Sequence, residues 1–350
     1  MSAKGALLGS PVYYDLAAKE NEFMDLNSKI EIDRQLVLEE NTDFGNMIQR
    51  LSLPVYHMAP WKYGWSSMFL ANIGFSHGEK ALLANFRNPL RQPEEEYAWE
   101  WFQRLGFDPK KGMLRRLPTE PKRICYEGQG DTLMGGKNKC FFTYGPRSDY
   151  EAKYYVQDML YSYEELIDLE LTSYFYHGDT CLNTFRPLEL FIYYPGAFSE
   201  DSRRKIENLP LDLIELSPYL ANCFVANSVY IDSTFLINVP FNASEESRLL
   251  SAWGRPLEES DPRFRELVAF DRGAWKKHAL LVAKLKKQKC IRGAFRTATH
   301  GPAVRCGYEW FIRQLWDRGA QIIPVYMSQV EPSGAGARCC VLFLDWLLTP

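Results

Sequence analysis

Long apolar runs are missing from this sequence. None of its 350 residues lies in a stretch near the ~20 apolar positions that cross a bilayer, so no spanning helix is expected. Net charge is slight. The 41 Lys and Arg against 44 Asp and Glu leave −3, which gives the whole molecule no bulk attraction to nucleic acid or a membrane. Met1 to Pro11 carry neither a secretory apolar core nor an Arg-rich amphipathic presequence. Metal-type cysteine pairs are absent too: the 8 cysteines include no CxxC, and a chain of this length builds its core without disulfide staples. These absences point to cytosol or mitochondrial matrix, and to a protein that uses no metal or cofactor. Histidine is scarce, with 5 in all, so few positions are open to acid–base work.

What is present is an apolar fraction of 46%, enough for a large core. Lys139–Tyr144, Leu190–Tyr194, Phe224–Ile231 and Gln321–Tyr326 are short apolar runs bounded by Gly, Pro, Asn or Asp, and predict strands. Glu94–Leu105, Asp149–Leu160 and Tyr308–Arg318 show apolar residues at three-to-four spacing and predict helices. Strand–helix–strand units recurring along one chain indicate an α/β fold. No internal repeat is evident in the residues themselves.

Three segments carry candidate chemistry. Near the end, Gly334-Ala335-Gly336-Ala337-Arg338-Cys339-Cys340 precedes an apolar strand, Val341 to Leu344. A cysteine after tiny residues suits a cavity where substrate approaches the backbone, although a Cys beside such a strand is also a small buried hydrophobe. Cys340 is a second candidate nucleophile, but strand alternation turns it into the core. Tyr126-Glu127-Gly128-Gln129-Gly130-Asp131 offers a carboxylate, Glu127 or Asp131, and His177-Gly178-Asp179-Thr180 offers an imidazole with a second acid.

In that order these segments resemble the pentein superfamily of guanidino-group-modifying enzymes: arginine deiminase, the arginine and succinylarginine dihydrolases, dimethylarginine dimethylaminohydrolase and the amidinotransferases. The resemblance covers nearly the whole chain. Asn21 in Glu20-Asn21-Glu22-Phe23-Met24 is similar to an early substrate-loop Asn, and Phe69-Leu70-Ala71-Asn72 to the F-x-A-N segment of the dihydrolases. Pro89-Leu90-Arg91-Gln92 and Gly145-Pro146-Arg147-Ser148-Asp149 are similar to segments whose arginines bind a substrate carboxylate. Ala221-Asn222-Cys223 and Ala226-Asn227 are similar to a later core strand. The resemblance implies one domain over 1–350, a five-bladed ββαβ propeller with its site in the central cavity. It also implies a thiol-dependent hydrolase: Cys339 attacks a guanidinium carbon, His177 moves protons and Glu127 orients His177. Asp179, Asn21 and Asn72 would bind the guanidinium, and Arg91 and Arg147 a carboxylate. A guanidinium carbon is a poor electrophile, which is why a thiolate is needed. The sequence departs from the family in two places. Ser66, Ser67, Ala71 and Asn72 stand where deiminases and dimethylarginine hydrolases have acids that grip the guanidinium, although the succinylarginine dihydrolase branch shares such a Ser-x-Met-aromatic-x-Ala-Asn segment. The acidic turn carries one extra residue, EGQGD rather than EGGD.

Residues 243–306 form an insertion beyond that family core. Arg272 to Arg296 contains no Asp or Glu, and Lys276, Lys277, Lys284, Lys286, Lys287 and Lys289 alternate with apolar residues in a pattern that predicts a basic amphipathic helix. It is either a solvated face or a docking surface for RNA or an acidic protein. More loosely, the chain resembles the dimethylargininase-like core subunit of the kinetoplastid mitochondrial RNA-editing substrate-binding complex. That implies an alternative, a catalytically silent scaffold acting through protein and RNA contacts.

Overall fold

Strands in this chain come in threes. A computed structural model describes residues 4–16, 20–21, 24, 30–62, 64–172, 175–271 and 307–345, and in it five three-stranded sheets repeat one pattern. An inner strand pairs antiparallel with a middle strand, which pairs parallel with an outer strand. The inner strands are β3 (Gly74–His77), β6 (Thr132–Met134), β9 (Leu182–Phe185), β12 (Val229–Ile231) and β15 (Val341–Leu344). Their middle partners are β4 (Lys80–Leu83), β7 (Lys139–Tyr144), β10 (Leu190–Tyr193), β13 (Thr234–Val239) and β1 (Gly5–Gly9). The outer strands are β5 (Leu114–Arg115), β8 (Glu165–Glu170), β11 (Asp212–Glu215), β14 (Gln321–Tyr326) and β2 (Val55–Met58).

A parallel middle–outer pair needs a crossover, and a helix supplies each one. These are α1 (Arg34–Arg50), α2 (Glu94–Arg104), α3 (Ala152–Gln157), α4 (Glu200–Glu207), and in the fifth blade α5 (Glu245–Ala252) with α6 (Tyr308–Trp316). Local chemistry sets their starts. Asp33 caps α1 by accepting from the Gln35 and Leu36 amides, Ser199 caps α4 and Ser244 caps α5. The β6–β7 hairpin turns through Lys137 and Asn138, both at positive φ, the backbone that matches a two-residue turn to strand twist. One blade joins the chain ends: β15 pairs with β1 from Gly5↔Leu344 to Leu8↔Val341 and closes the ring.

The inner strands surround one axis, and all five contribute to a cavity of about 580 Å³ along it. The five-bladed α/β propeller implied by the sequence is therefore present. Two local expectations change. Residues 224–228 are not strand: Phe224 turns at φ 52° and Asn227 N–H returns to Phe224 O, so only Val229–Ile231 extends. Only 152–157 of the predicted 149–160 helix is α-helical. In the fifth blade, α5 and a helical stretch at 262–271 lie between β13 and α6. Lys276, Lys277, Lys284, Lys286, Lys287 and Lys289 lie outside the described residues.

Candidate active site

The segments that enter the inner strands meet at one end of the axis. Asn72 precedes β3, Glu127 to Asp131 precede β6, His177 to Thr180 precede β9, Asn227 precedes β12 and Cys339 precedes β15. All of these are buried. Gly128 sits at φ +58°, and a Cβ there would lie 2.5 Å from Gly74 O; a Cβ on Gly130 would lie 2.5 Å from Asn72 Nδ2. Glycines in this turn thus let Glu127 and Asp131 pack against neighbouring blades.

Glu127 Oε2 lies 2.7 Å from His177 Nε2, and Asn72 Nδ2 lies 3.4 Å from Nδ1. A ring protonated on Nε2 satisfies both contacts, donating to Glu127 and accepting from Asn72. Burial pushes the Glu127 carboxyl up, but the charges of Arg147, His177 and Arg91 outweigh it and hold Glu127 well below the usual carboxylate range. Between the two acids of the turn, Glu127 bonds the imidazole. Asp131 accepts instead from Thr143 Oγ1 (2.6 Å), Ser148 Oγ (2.6 Å) and the Gly178 amide (3.1 Å), bracing the loop that carries His177.

Cys339 joins the cluster at Asp179. Its Sγ donates to Asp179 Oδ2 at 3.4 Å and accepts from Asn227 Nδ2 at 3.0 Å, while Asn227 Oδ1 accepts from the Cys339 amide at 3.1 Å. Burial and then the Asp179 charge push the thiol well above its usual range. Burial pushes Asp179 up to about 6, against the downward pull of His177 and Arg338. Its other oxygen, Oδ1, is buried without a hydrogen-bond partner. An orphaned buried carboxylate oxygen is unfavourable unless a donor arrives. Cys340 turns away, its Sγ against Gly336 O.

The two arginines brace the site. Arg91 is 2% exposed and its guanidinium fork holds Glu94, Nε to Oε1 at 3.0 Å and Nη2 to Oε2 at 2.7 Å, with Nη1 on Asn72 Oδ1 at 2.9 Å. The carboxylate it holds here is the protein's own. Arg147 bonds Glu127 Oε2 at 3.2 Å and the Glu20 carbonyl at 2.6 Å, and lies over the Tyr176 ring. Asn21 donates to Ser333 O, tying the early loop to the segment before Cys339. Sequence reasoning missed three participants. Asn227 was hidden inside an expected strand. Glu20, next to the flagged Asn21, brings its carboxylate to Ser66 Oγ at 2.7 Å, so an acid stands beside one of the positions that lost one. Gln129, the extra residue of the turn, bonds both backbone groups of Phe343 and accepts from Arg338. Among the described residues no group of three or more His, Cys, Asp or Glu is placed to hold a metal, and no helix is long and apolar enough to cross a membrane.

The fold and this cluster define a pentein-type protein, and comparison with known proteins agrees. No family model matches the chain. The chain is 30% identical over 248 residues, 69% of its length, to a bifunctional arginine dihydrolase/ornithine cyclodeaminase of Nostoc sp.. It is 28% identical over 220 residues to an N(G),N(G)-dimethylarginine dimethylaminohydrolase of Mycobacterium tuberculosis, covering 63% of the chain and 68% of that protein. The N-terminal domain of a cyanobacterial arginine dihydrolase, solved with substrate bound, superposes with TM-score 0.69 over 97% of both chains at 21% identity. The match spans about a third of the length of the bifunctional relatives, 33% and 32%. The chain belongs to the pentein superfamily, with arginine dihydrolases and dimethylarginine hydrolase among its relatives.

Proposed function

We propose that this chain hydrolyses an arginine-type guanidino substrate, with Cys339 as nucleophile, His177 as acid and base, and Glu127 as its orienting carboxylate. The observation that carries this reading is Asp179: a fully buried carboxylate with one oxygen on the thiol and the other unpartnered. A guanidinium N–H fits that oxygen, and its charge offsets the burial of the acid. The same cation, arriving beside Sγ, lowers the thiol pKa. The thiol proton passes to His177 as sulfur bonds to the guanidinium carbon. The tetrahedral adduct loses an amine that takes that proton, leaving a thiouronium on Cys339. His177 then draws a proton from water, hydroxide adds to the carbon, and the C–S bond breaks. Arginine would yield citrulline and ammonia, and a second hydrolysis at the ureido carbon would yield ornithine, carbon dioxide and another ammonia. Asn72 and Glu20 are assigned to the guanidinium, and Arg147, the less enclosed arginine, to the substrate carboxylate, with Asn21 and Arg91 holding the loops that frame it.

A second reading, a silent subunit acting through protein and RNA contacts, is favoured by one observation: Arg91 and Arg147 already engage Glu94 and Glu127. Incubation of the purified protein with arginine and methylarginines separates the two. Ammonia with citrulline or ornithine, lost in Cys339→Ser, supports the hydrolase; no turnover of any of them supports the subunit.

A further inference from the structure

The large axial cavity is not where the chemistry gathers. Asn72, Glu127, His177, Asn227 and Cys339 stand before the inner strands, whereas the cavity is lined by the strands themselves and by the hairpin turns beyond them, including Lys137, Arg186 and Asp232. It is a vestibule at the opposite end of the axis. Its volume, about 580 Å³, lies within the range of small-molecule sites. At its inner end is Arg338, the residue before Cys339.

We propose that this rear vestibule binds a small carboxylate-bearing molecule through Arg338. Arg338 is 9% exposed and lines the cavity. It donates to Val341 O and Gln129 Oε1, both at 3.0 Å, and rests over the Phe343 ring. Among the described residues no carboxylate lies within ion-pair distance of it, unlike the buried Arg91 and Arg263, which hold Glu94 and Asp261. Two acids line the cavity. Asp345 is engaged by His77, and Asp232 stands exposed on the β12–β13 turn. A buried cation with three N–H groups left over, at the bottom of an open polar cavity, suits a planar oxyanion that it can hold with two parallel bonds. A carboxylate matches that fork, and the Asp232 charge at the rim tempers the attraction.

Calorimetry of the full chain at low salt, with succinate and separately with inorganic phosphate, tests this. Succinate should bind, its affinity falling as salt rises and unaffected by excess arginine. Arg338→Gln should weaken it by about tenfold or more, as expected for loss of a charge-assisted pair. Arg338→Gln removes a buried group, so Asp232→Asn provides a second variant on an exposed turn that tolerates Asn at positive φ. With the rim charge gone, succinate should bind about two- to threefold tighter at low salt. Binding of phosphate alone would overturn the carboxylate assignment. The proposal also falls if succinate gives no heat at millimolar concentration, if Asp232→Asn leaves its affinity unchanged, or if Arg147→Gln at the front site abolishes it.

Discussion

Replacing Asp179 with Asn should strengthen the fold while weakening the site. The carboxyl rises from its ordinary 3.8 to about 6 inside the protein, mainly through burial. A group whose folded pKa is raised binds its proton more tightly in the native state. Its contribution is therefore fully present below the unfolded value and is lost as pH climbs through about 6. The shift corresponds to about 3 kcal/mol, so at pH 8 the ionised, half-unpartnered Asp179 costs on that order. Asn carries no charge to bury. With an unfolding entropy near 0.7 kcal/mol/K expected for ~350 residues, the variant should melt about 4 °C higher at pH 8. The gain should shrink to less than about 1 °C at pH 4, close to the unfolded value. Guanidinium affinity should move the other way, by about tenfold, because a charge-assisted bond contributes ~1.5–3 kcal/mol against ~0.5–1.5 for a neutral one. Scanning calorimetry at both pH values, paired with arginine titration, gives both signs. A variant that melts lower at pH 8 would refute the claim that Asp179 awaits a donor.

Other residues give predictions of different sign. Glu127 is held below its usual range, so its stabilisation is present above 4.5 and lost as pH falls through its folded value; Glu127→Gln, which leaves Arg147 buried without its acid, should destabilise at neutral pH by about 3–5 kcal/mol, read by denaturant unfolding. His77, 4% exposed, lies between Glu164 (2.7 Å) and Asp345 (3.3 Å), whose bonds and charges outweigh burial and raise its pKa. That stabilisation is complete below 6.5 and fades as pH rises through the folded value, so His77→Gln should narrow the difference in melting temperature between pH 6 and pH 8. Iodoacetamide should alkylate Cys339 slowly at pH 7 in the free protein, because burial and Asp179 keep the thiol protonated; mass spectrometry showing fast modification at that pH would contradict the arrangement.

The family's motifs were legible in the sequence, and with them the five-bladed fold that the resemblance implied. Glu127, His177, Asp179 and Cys339 were singled out because their segments follow the family's order, and that order was legible in single residues and their neighbours. The five-fold repeat was not, because inner strands such as β6 and β12 are 3 residues long and the blades share a topology without a shared residue pattern. Asn227 was obscured because an apolar run reads the same whether it extends or turns, and here Phe224 at positive φ turns it. Arg91 was assigned to a substrate carboxylate because its segment resembles the family's, although the acids Glu94, Glu95 and Glu96 follow it directly. The acid that claims it, Glu94, is three residues on, where the first turn of α2 brings the two together.

The central claim is covalent chemistry at Cys339, and trapping the intermediate tests it most directly. His177 serves both steps, so the intermediate is sought in the unmodified chain by quenching turnover in acid, where water is no longer deprotonated and the thiouronium persists. Intact-protein and peptide mass spectrometry after incubation with arginine or a methylarginine at pH 8 should then find a substrate-derived adduct, the substrate less one amine, on the peptide containing Cys339. The adduct should be absent from Cys339→Ser. An unmodified Cys339 with every guanidino compound tried, in a protein that binds them, would contradict the account.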